Sequence, residues 1–326
     1  MTVLLTGAAG FIGYHVAEVL LARGETIIGV DNLNDYYDVS LKEKRLENLQ
    51  KHNEFMFQRL DIAEREEVEK LFSNHGDITR ILHLAAQAGV RYSLENPYSY
   101  TRSNIEGQLV LLEAARNIAE LKHFVYASSS SVYGASTKLP YAAEDRTDEP
   151  LSVYAATKKS AEIMSHAYAH LYGLPLTGLR FFTVYGPWGR PDMAYFLFTK
   201  KILNGEPIPI FNNGEMRRNF TYIDDVVSGV ISCLYADLAA ESKAKVLNQI
   251  YNIGNNQSES LMDFVKEIEQ AIGTSAAYDF QPMQLGDVKE TVADISTSVQ
   301  DFGFAPKTSI QQGIPKFVEW YRSYYE

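Results

Sequence analysis

The chain has 326 residues, 46% hydrophobic and 22% charged, with a formal net charge of -11. A chain of this length buries roughly three quarters of its unfolded surface, and the composition excludes disordered, fibrous and small disulfide-stapled classes. The acidic balance, without a dense basic block, argues against a nucleic-acid partner, because phosphate neutralisation needs a clustered positive surface.

Cys233 is the single cysteine, so neither an intrachain disulfide nor a metal site is expected, and a reducing compartment follows. It lies in the apolar run "VVSGVISCLY" and reads as core packing. The start "MTVLLTGAAG" has no basic leader, and its apolar run is too short for a signal or a membrane span. A cytoplasmic protein without a membrane partner is the expectation.

From the N-terminus, apolar β-rich runs alternate with segments of helical period. They read "VLLTG", "FIGYHVAEVLLARG", "TIIGVD", "LKEKRLENLQK", "MFQRLDI", "REEVEKLFSNHG", "RILHLAA", "GQLVLLEAARNIA" and "HFVYASS". Continuous apolar strands between helices predict an α/β fold, a Rossmann-type doubly wound parallel sheet, over residues 1–182. Beyond it Pro187, Pro191, Pro207, Pro209 and the turn "FNNGEMRRNF" break the alternation. A smaller mixed α/β domain is predicted over 183–326, with some segments returning to the first domain. Inside it "LMDFVKEIEQAIG" is a helix, capped by Ser258 or Ser260 and stopped by Gly273. The polar stretch "STKLPYAAEDRTDEP" reads as a surface loop.

The join between the first strand and helix carries Gly7, Gly10 and Gly13. Such glycines give a tight turn, close approach of backbone to a diphosphate, and close packing of helix on strand. The helix N-terminus adds free N–H groups and a positive dipole end. Asp31 ends the second strand, where a carboxylate accepts hydrogen bonds from ribose hydroxyls and repels a ribose phosphate, so NAD is favoured over NADP. Lys42 and Arg45 lie farther on and read as a solvated helix face.

Tyr154 and Lys158 stand four residues apart in "LSVYAATKKSAEIMSHAYAHLYG", hence on one helix face. A nearby ammonium stabilises phenolate, and with the positive nicotinamide ring of a bound NAD beside it Tyr154 is a candidate base near neutral pH. "YASSSSVYG" ends a strand at the same sheet edge, where Ser129 is able to hydrogen-bond a reacting hydroxyl and its carbonyl product.

Gly7-Ala8-Ala9-Gly10-Phe11-Ile12-Gly13, the serine-bearing strand end and Tyr154-Ala155-Ala156-Thr157-Lys158 together resemble the extended short-chain dehydrogenase/reductase superfamily, in particular its nucleotide-sugar epimerases. The resemblance implies a two-domain fold, a tightly held NAD regenerated each turnover, and a homodimer. It gives Ser129, Tyr154 and Lys158 the catalytic roles. It sets Leu84, Ala85, Ala86 and Gln87 of "HLAAQAGV", with Phe11, Ile12, Asn32, Asp61 and Ile62, along the cofactor. Asn104 matches the asparagine that supports the catalytic lysine.

Relatives that dehydrate or decarboxylate the sugar carry acidic residues where this chain has Ser130 and Ser131, which leaves return of hydride to the opposite face. "RRNFTYIDDVV" resembles the segment whose arginine, here Arg218, grips the nucleotide diphosphate. "MQLGDVKET" resembles a later nucleotide-binding segment, with Asp287 the matched residue and Gln284 standing where galactose epimerases have arginine. "FFTVYGPWGRPDMAYF" and "DNLNDYYDVSLKEKRL" resemble the UDP-glucuronate 4-epimerase branch. That likeness makes Arg190 a clamp for the sugar C6 carboxylate, with Thr183, Ser130 and Arg91 as further contacts; the other roles open to Arg190 are stacking on Trp188 or pairing with Asp192. The clamp has a chemical purpose: once C4 is a ketone, the carboxylate is β to it and is lost as carbon dioxide unless held out of alignment with the carbonyl. Interconversion of UDP-glucuronate and UDP-galacturonate is thereby expected. Epimerisation of UDP-glucose or UDP-N-acetylglucosamine, and a non-catalytic NAD-binding sensor or scaffold, are the alternatives.

Overall fold

A computed structural model describes residues 1–238 and 248–326. In chain order the first half contains β1 (Thr2–Thr6), α1 (Phe11–Ala22), β2 (Thr26–Asp31), α2 (Val39–Leu49), β3 (Phe55–Arg59), α3 (Arg65–Asn74) and β4 (Ile78–His83). It continues with α4 (Tyr92–Glu95), α5 (Pro97–Tyr100), a π-helical turn (Thr101–Glu106), α6 (Gly107–Ala115), β5 (His123–Ser129), α7 (Val153–Tyr172) and β6 (Leu176–Phe181). The second half holds β7 (Thr183–Tyr185), α8 (Ala194–Leu203), β8 (Ile208–Phe211), β9 (Arg217–Arg218), β10 (Phe220–Tyr222), α9 (Ile223–Tyr235) and β11 (Asn248–Ile253). It ends with β12 (Glu259–Ser260), α10 (Leu261–Ile272), β13 (Tyr278–Gln281), α11 (Ser296–Phe302) and α12 (Ile310–Tyr325).

Seven strands form one sheet in the order β11-β6-β5-β4-β1-β2-β3, all neighbours parallel. Alternate residues of a strand face opposite sides, so Val3 and Leu5 enter one hydrophobic core and Leu4 the other. Both faces are covered by helices, which is why these strands read as continuous apolar runs. The order reverses between β1 and β4, and the carboxyl ends of the strands there flank the crevice that such sheets use for ligands.

β11, from the later half of the chain, pairs with β6 and completes the sheet. The remainder of the second half is built from three two-stranded sheets, β10-β7, β12-β9 and β13-β8. Phe220 stacks on Phe264 at 3.8 Å to tie β10 to α10. Ser260 caps α10 through the Asp263 N–H, and Gly273 ends it in a left-handed conformation. Cys233 is fully buried in α9. No helix among the described residues is long and apolar enough to cross a membrane.

Two polar expectations are corrected. The loop from Ser136 to Pro150 is not wholly at the surface, because Tyr141 is buried, stacks on Tyr133 at 4.5 Å and bonds through its backbone to Val292 and Asp294. Lys42 and Arg45 do not lie on a solvated face; both are buried. Arg45 donates to the Ala9 carbonyl at 2.8 Å and to the Trp188 carbonyl at 2.5 Å, tying the glycine turn to the loop that carries Arg190. Trp188 has φ 58°, a left-handed backbone unusual for a tryptophan, and this bond helps hold it there.

A buried ion pair lies behind the serine strand. Arg180 meets Glu162 through Nε–Oε1 at 2.8 Å and Nη2–Oε2 at 3.0 Å, and Ser128 donates to the same carboxylate at 2.7 Å. Removing one partner strands the other charge in the core, so Glu162→Ala is expected to lower the unfolding free energy by about 3–5 kcal/mol. A urea melt checks this, and a loss below about 1 kcal/mol, the worth of a surface pair, would contradict it.

Candidate active site

The glycine turn is shaped for close approach. Gly7 has φ 75°, and a Cβ there would meet the Ala85 nitrogen at 2.7 Å. A Cβ on Gly13 would lie 2.1 Å from the Gly7 carbonyl oxygen, so α1 sits directly against β1. No side chain caps the α1 N-terminus, which leaves its first-turn N–H groups to an anion. Asp31 is buried, accepts from the N–H groups of Ala9 at 3.1 Å and Leu33 at 2.9 Å, and lines the crevice. Glycine cradle, uncapped helix end and buried acid together fit a dinucleotide.

Every residue predicted for the site except Asn104 lines one cavity of about 720 Å³. That is ample for a small-molecule site. The cavity runs from Gly7, Gly10, Phe11, Ile12, Gly13 and Asp31 past Asn32, Asp61 and Ile62 to Leu84, Ala85, Ala86 and Gln87. It then passes Ser129, Ser130, Tyr154 and Lys158, and ends among Thr183, Arg190, Arg91, Arg218 and Asp287. Asn104 lies behind it, buried in the π-helical turn, where its amide donates to the Gln87 carbonyl at 2.9 Å and to Thr157 Oγ1 at 3.0 Å. It thus braces α7 one residue before Lys158. Such π turns concentrate at functional sites.

The α7 N-cap, Ser152, accepts from the Ala155 N–H and starts the helix just before Tyr154. Tyr154 itself is partly buried. Burial pushes its hydroxyl above the ordinary tyrosine range, while a hydrogen bond with Ser129 and the charge of Arg190 pull it back. Lys158 donates to the Ala127 carbonyl at 2.9 Å, and burial lowers its pKa to about 8. Ser129 Oγ donates to Ser131 Oγ at 3.0 Å and accepts the Ser131 N–H at 3.2 Å, which fixes the hydroxyl at the strand end. His83, beneath the glycine turn, is held neutral by burial and by Lys158, with a pKa near 3, and its Nδ1 pairs with Thr6 Oγ1 at 2.7 Å.

At the other end, Arg190 pairs with Asp192, as one of the open roles foresaw: Nε meets Oδ1 at 3.0 Å and Nη2 meets Oδ2 at 2.5 Å. Its Nη1 has no hydrogen-bond partner among the described residues. Arg218 donates to the carbonyls of Arg217 and Lys289 and is in no ion pair among the described residues; burial lowers its pKa against the pull of Asp287. Arg91 sits over the Phe211 ring at 4.8 Å and 3.6 Å from Asp287. Tyr36, which sequence reasoning passed over, donates to Asp192 Oδ2 at 3.1 Å. Its position in a run of aromatic and acidic residues was the available signal.

A partly buried tyrosine beside a serine, a lysine on its helix face and a dinucleotide cradle define the class of NAD-dependent enzymes that act on a carbinol or carbonyl. The chain belongs to the NAD dependent epimerase/dehydratase family, whose model it matches over residues 3–254. It is 48% identical to UDP-glucuronate 4-epimerase 4 of Arabidopsis thaliana, over all of this chain and 76% of that one. Among solved structures it is similar to UDP-glucuronic acid 4-epimerase from Bacillus cereus in complex with UDP-glucuronic acid and NAD, at TM-score 0.90 and 35% identity, with both chains fully covered. It is also similar to UDP-glucose 4-epimerase from Thermotoga maritima with UDP-glucose, at TM-score 0.89 and 31% identity, again over both full chains.

Proposed function

We propose that this chain interconverts UDP-glucuronate and UDP-galacturonate through a 4-keto sugar. The observation that carries this reading is Arg190, a cavity cation with one nitrogen left open, close enough to Tyr154 to influence its proton. The 48% identity with a UDP-glucuronate 4-epimerase supports it, whereas overall shape does not separate glucuronate from glucose relatives.

Gly7, Gly10, Phe11, Ile12 and Gly13 would hold the diphosphate of NAD, Asp31 and Asn32 its ribose, and the residues from Leu84 to Gln87 its length. Bound NAD supplies reversible hydride transfer at the sugar's C4. Tyr154 takes the proton of the 4-hydroxyl and later returns one, and Ser129 hydrogen-bonds the same oxygen. Arg218 grips the UDP diphosphate, with Asp287 beside it. Arg190, with Thr183, Ser130 and Arg91 around it, holds the C6 carboxylate away from the alignment that expels carbon dioxide. In this proposal residues 1–182 bind the cofactor and 183–326 supply most UDP-sugar contacts. A cytoplasmic homodimer belongs to the same reading, supported by apolar side chains left exposed on neighbouring helices, Tyr98, Ile163 and Leu171.

The test is NMR of the purified protein with UDP-glucuronate. UDP-galacturonate is the expected product, without NADH accumulating. Conversion of UDP-glucose or UDP-N-acetylglucosamine alone would replace the reading with a neutral-sugar epimerase, and no turnover of any of them would favour a sensor.

A further inference from the structure

The proposed chemistry leaves one residue unexplained: a site meant to grip a substrate carboxylate carries a carboxylate of its own, bonded to the guanidinium assigned to that grip. Asp192 is not a casual neighbour of Arg190. It engages Nε and Nη2 with both oxygens, and Tyr36 donates to it from the loop that follows Asp31. Tyr36 is in turn fixed by its ring against Tyr92, with centroids 4.8 Å apart. A Cβ on Gly89 would lie 2.8 Å from the Tyr36 hydroxyl, so the backbone there leaves that group its room. The pair is largely withdrawn from solvent, at 22% and 27% side-chain exposure.

An arginine offers its strongest grip as a fork of two parallel N–H donors. Asp192 takes the Nε/Nη2 fork, and its negative charge offsets the field that would otherwise draw in an anion. We propose that Asp192, anchored by Tyr36, is a positioning residue that weakens the hold of Arg190 on the sugar carboxylate by offsetting its charge and taking its side-on fork. This rests on the UDP-glucuronate reading. The reason for such a device lies in the reaction: the 4-keto sugar must turn over between its two faces, and a carboxylate gripped more tightly at rest than during that turn lowers KM while slowing turnover. A partly neutralised guanidinium holds the acid and lets it swivel.

Asp192→Asn keeps the shape and an acceptor for Tyr36 but removes the charge and one of the accepting oxygens. By calorimetry this variant should bind UDP-glucuronate about ten-fold more tightly, the scale of one charge-assisted hydrogen bond gained. Its affinity for UDP-glucose, which has no carboxylate, should change less than about two-fold, and its kcat for UDP-glucuronate should fall along with KM. Unchanged or weaker binding of UDP-glucuronate would overturn the inference, as would equal tightening toward both sugars. NAD content and melting temperature establish that the variant is folded, and Asp192→Ser, read identically, serves if the first is insoluble. Failure of the unaltered protein to convert UDP-glucuronate would sink the functional reading instead, since the ratio of affinities measures the role of Asp192 without turnover.

Discussion

Replacing Tyr154 with Phe is expected to cut turnover by about 10²–10⁴-fold while leaving NAD content unchanged, the range that a positioned proton-transfer group contributes. The ring itself has structural work, lying 5.9 Å from Tyr100, and Phe preserves that contact. Only the hydroxyl is lost, and with it the bond to Ser129. Single-turnover kinetics check the result. Activity within about ten-fold of the parent would remove Tyr154 from the proton path.

The same residue sets a pH dependence. Because burial raises the Tyr154 hydroxyl above its ordinary range, the fraction able to accept a proton grows as pH rises, and kcat/KM climbs from neutrality upward. Lys158 opposes the climb, since it loses its charge through about pH 8. The profile should therefore bend near that value. Lys158→Met should remove the bend.

The sheet was legible because strands buried on both faces read as apolar runs, and β1, β2 and β5 are buried along nearly their whole length. Tyr154 and Lys158 were legible because four residues make one helical turn. Polar burial was not. Arg45 looked solvated because its acceptors, the Tyr37 hydroxyl apart, are the carbonyls of Ala9, Trp188 and Gly189, and a carbonyl leaves no mark in sequence. The Tyr36–Asp192 bond spans 156 positions, beyond any periodicity argument. Likewise no local signal tells that β11 joins the large sheet, since pairing with β6 is decided by packing, not propensity. The burial of the Tyr154 hydroxyl was hidden for a related reason: spacing shows which charges share a helix face but not how much water packing removes, and burial is the largest influence on that hydroxyl.

Arg190→Ala should lower kcat/KM for UDP-glucuronate by about 10²–10³-fold, or roughly 3–4 kcal/mol. Two effects add. The guanidinium contact to the substrate acid disappears, and Asp192, no longer neutralised by Arg190, turns its charge on the incoming carboxylate. The second effect makes the prediction specific, because Arg190→Ala with Asp192→Ala should recover about ten-fold over the single variant, whereas independent residues would only lose more. Without the clamp the sugar acid is free to align with the C4 carbonyl, so a decarboxylated product, UDP-xylose or a 4-keto pentose, should appear in the NMR spectrum of the single variant. A single variant that turns over normally would end the clamp assignment. One that is slow but recovers nothing on loss of Asp192 would confine Arg190 to holding its loop.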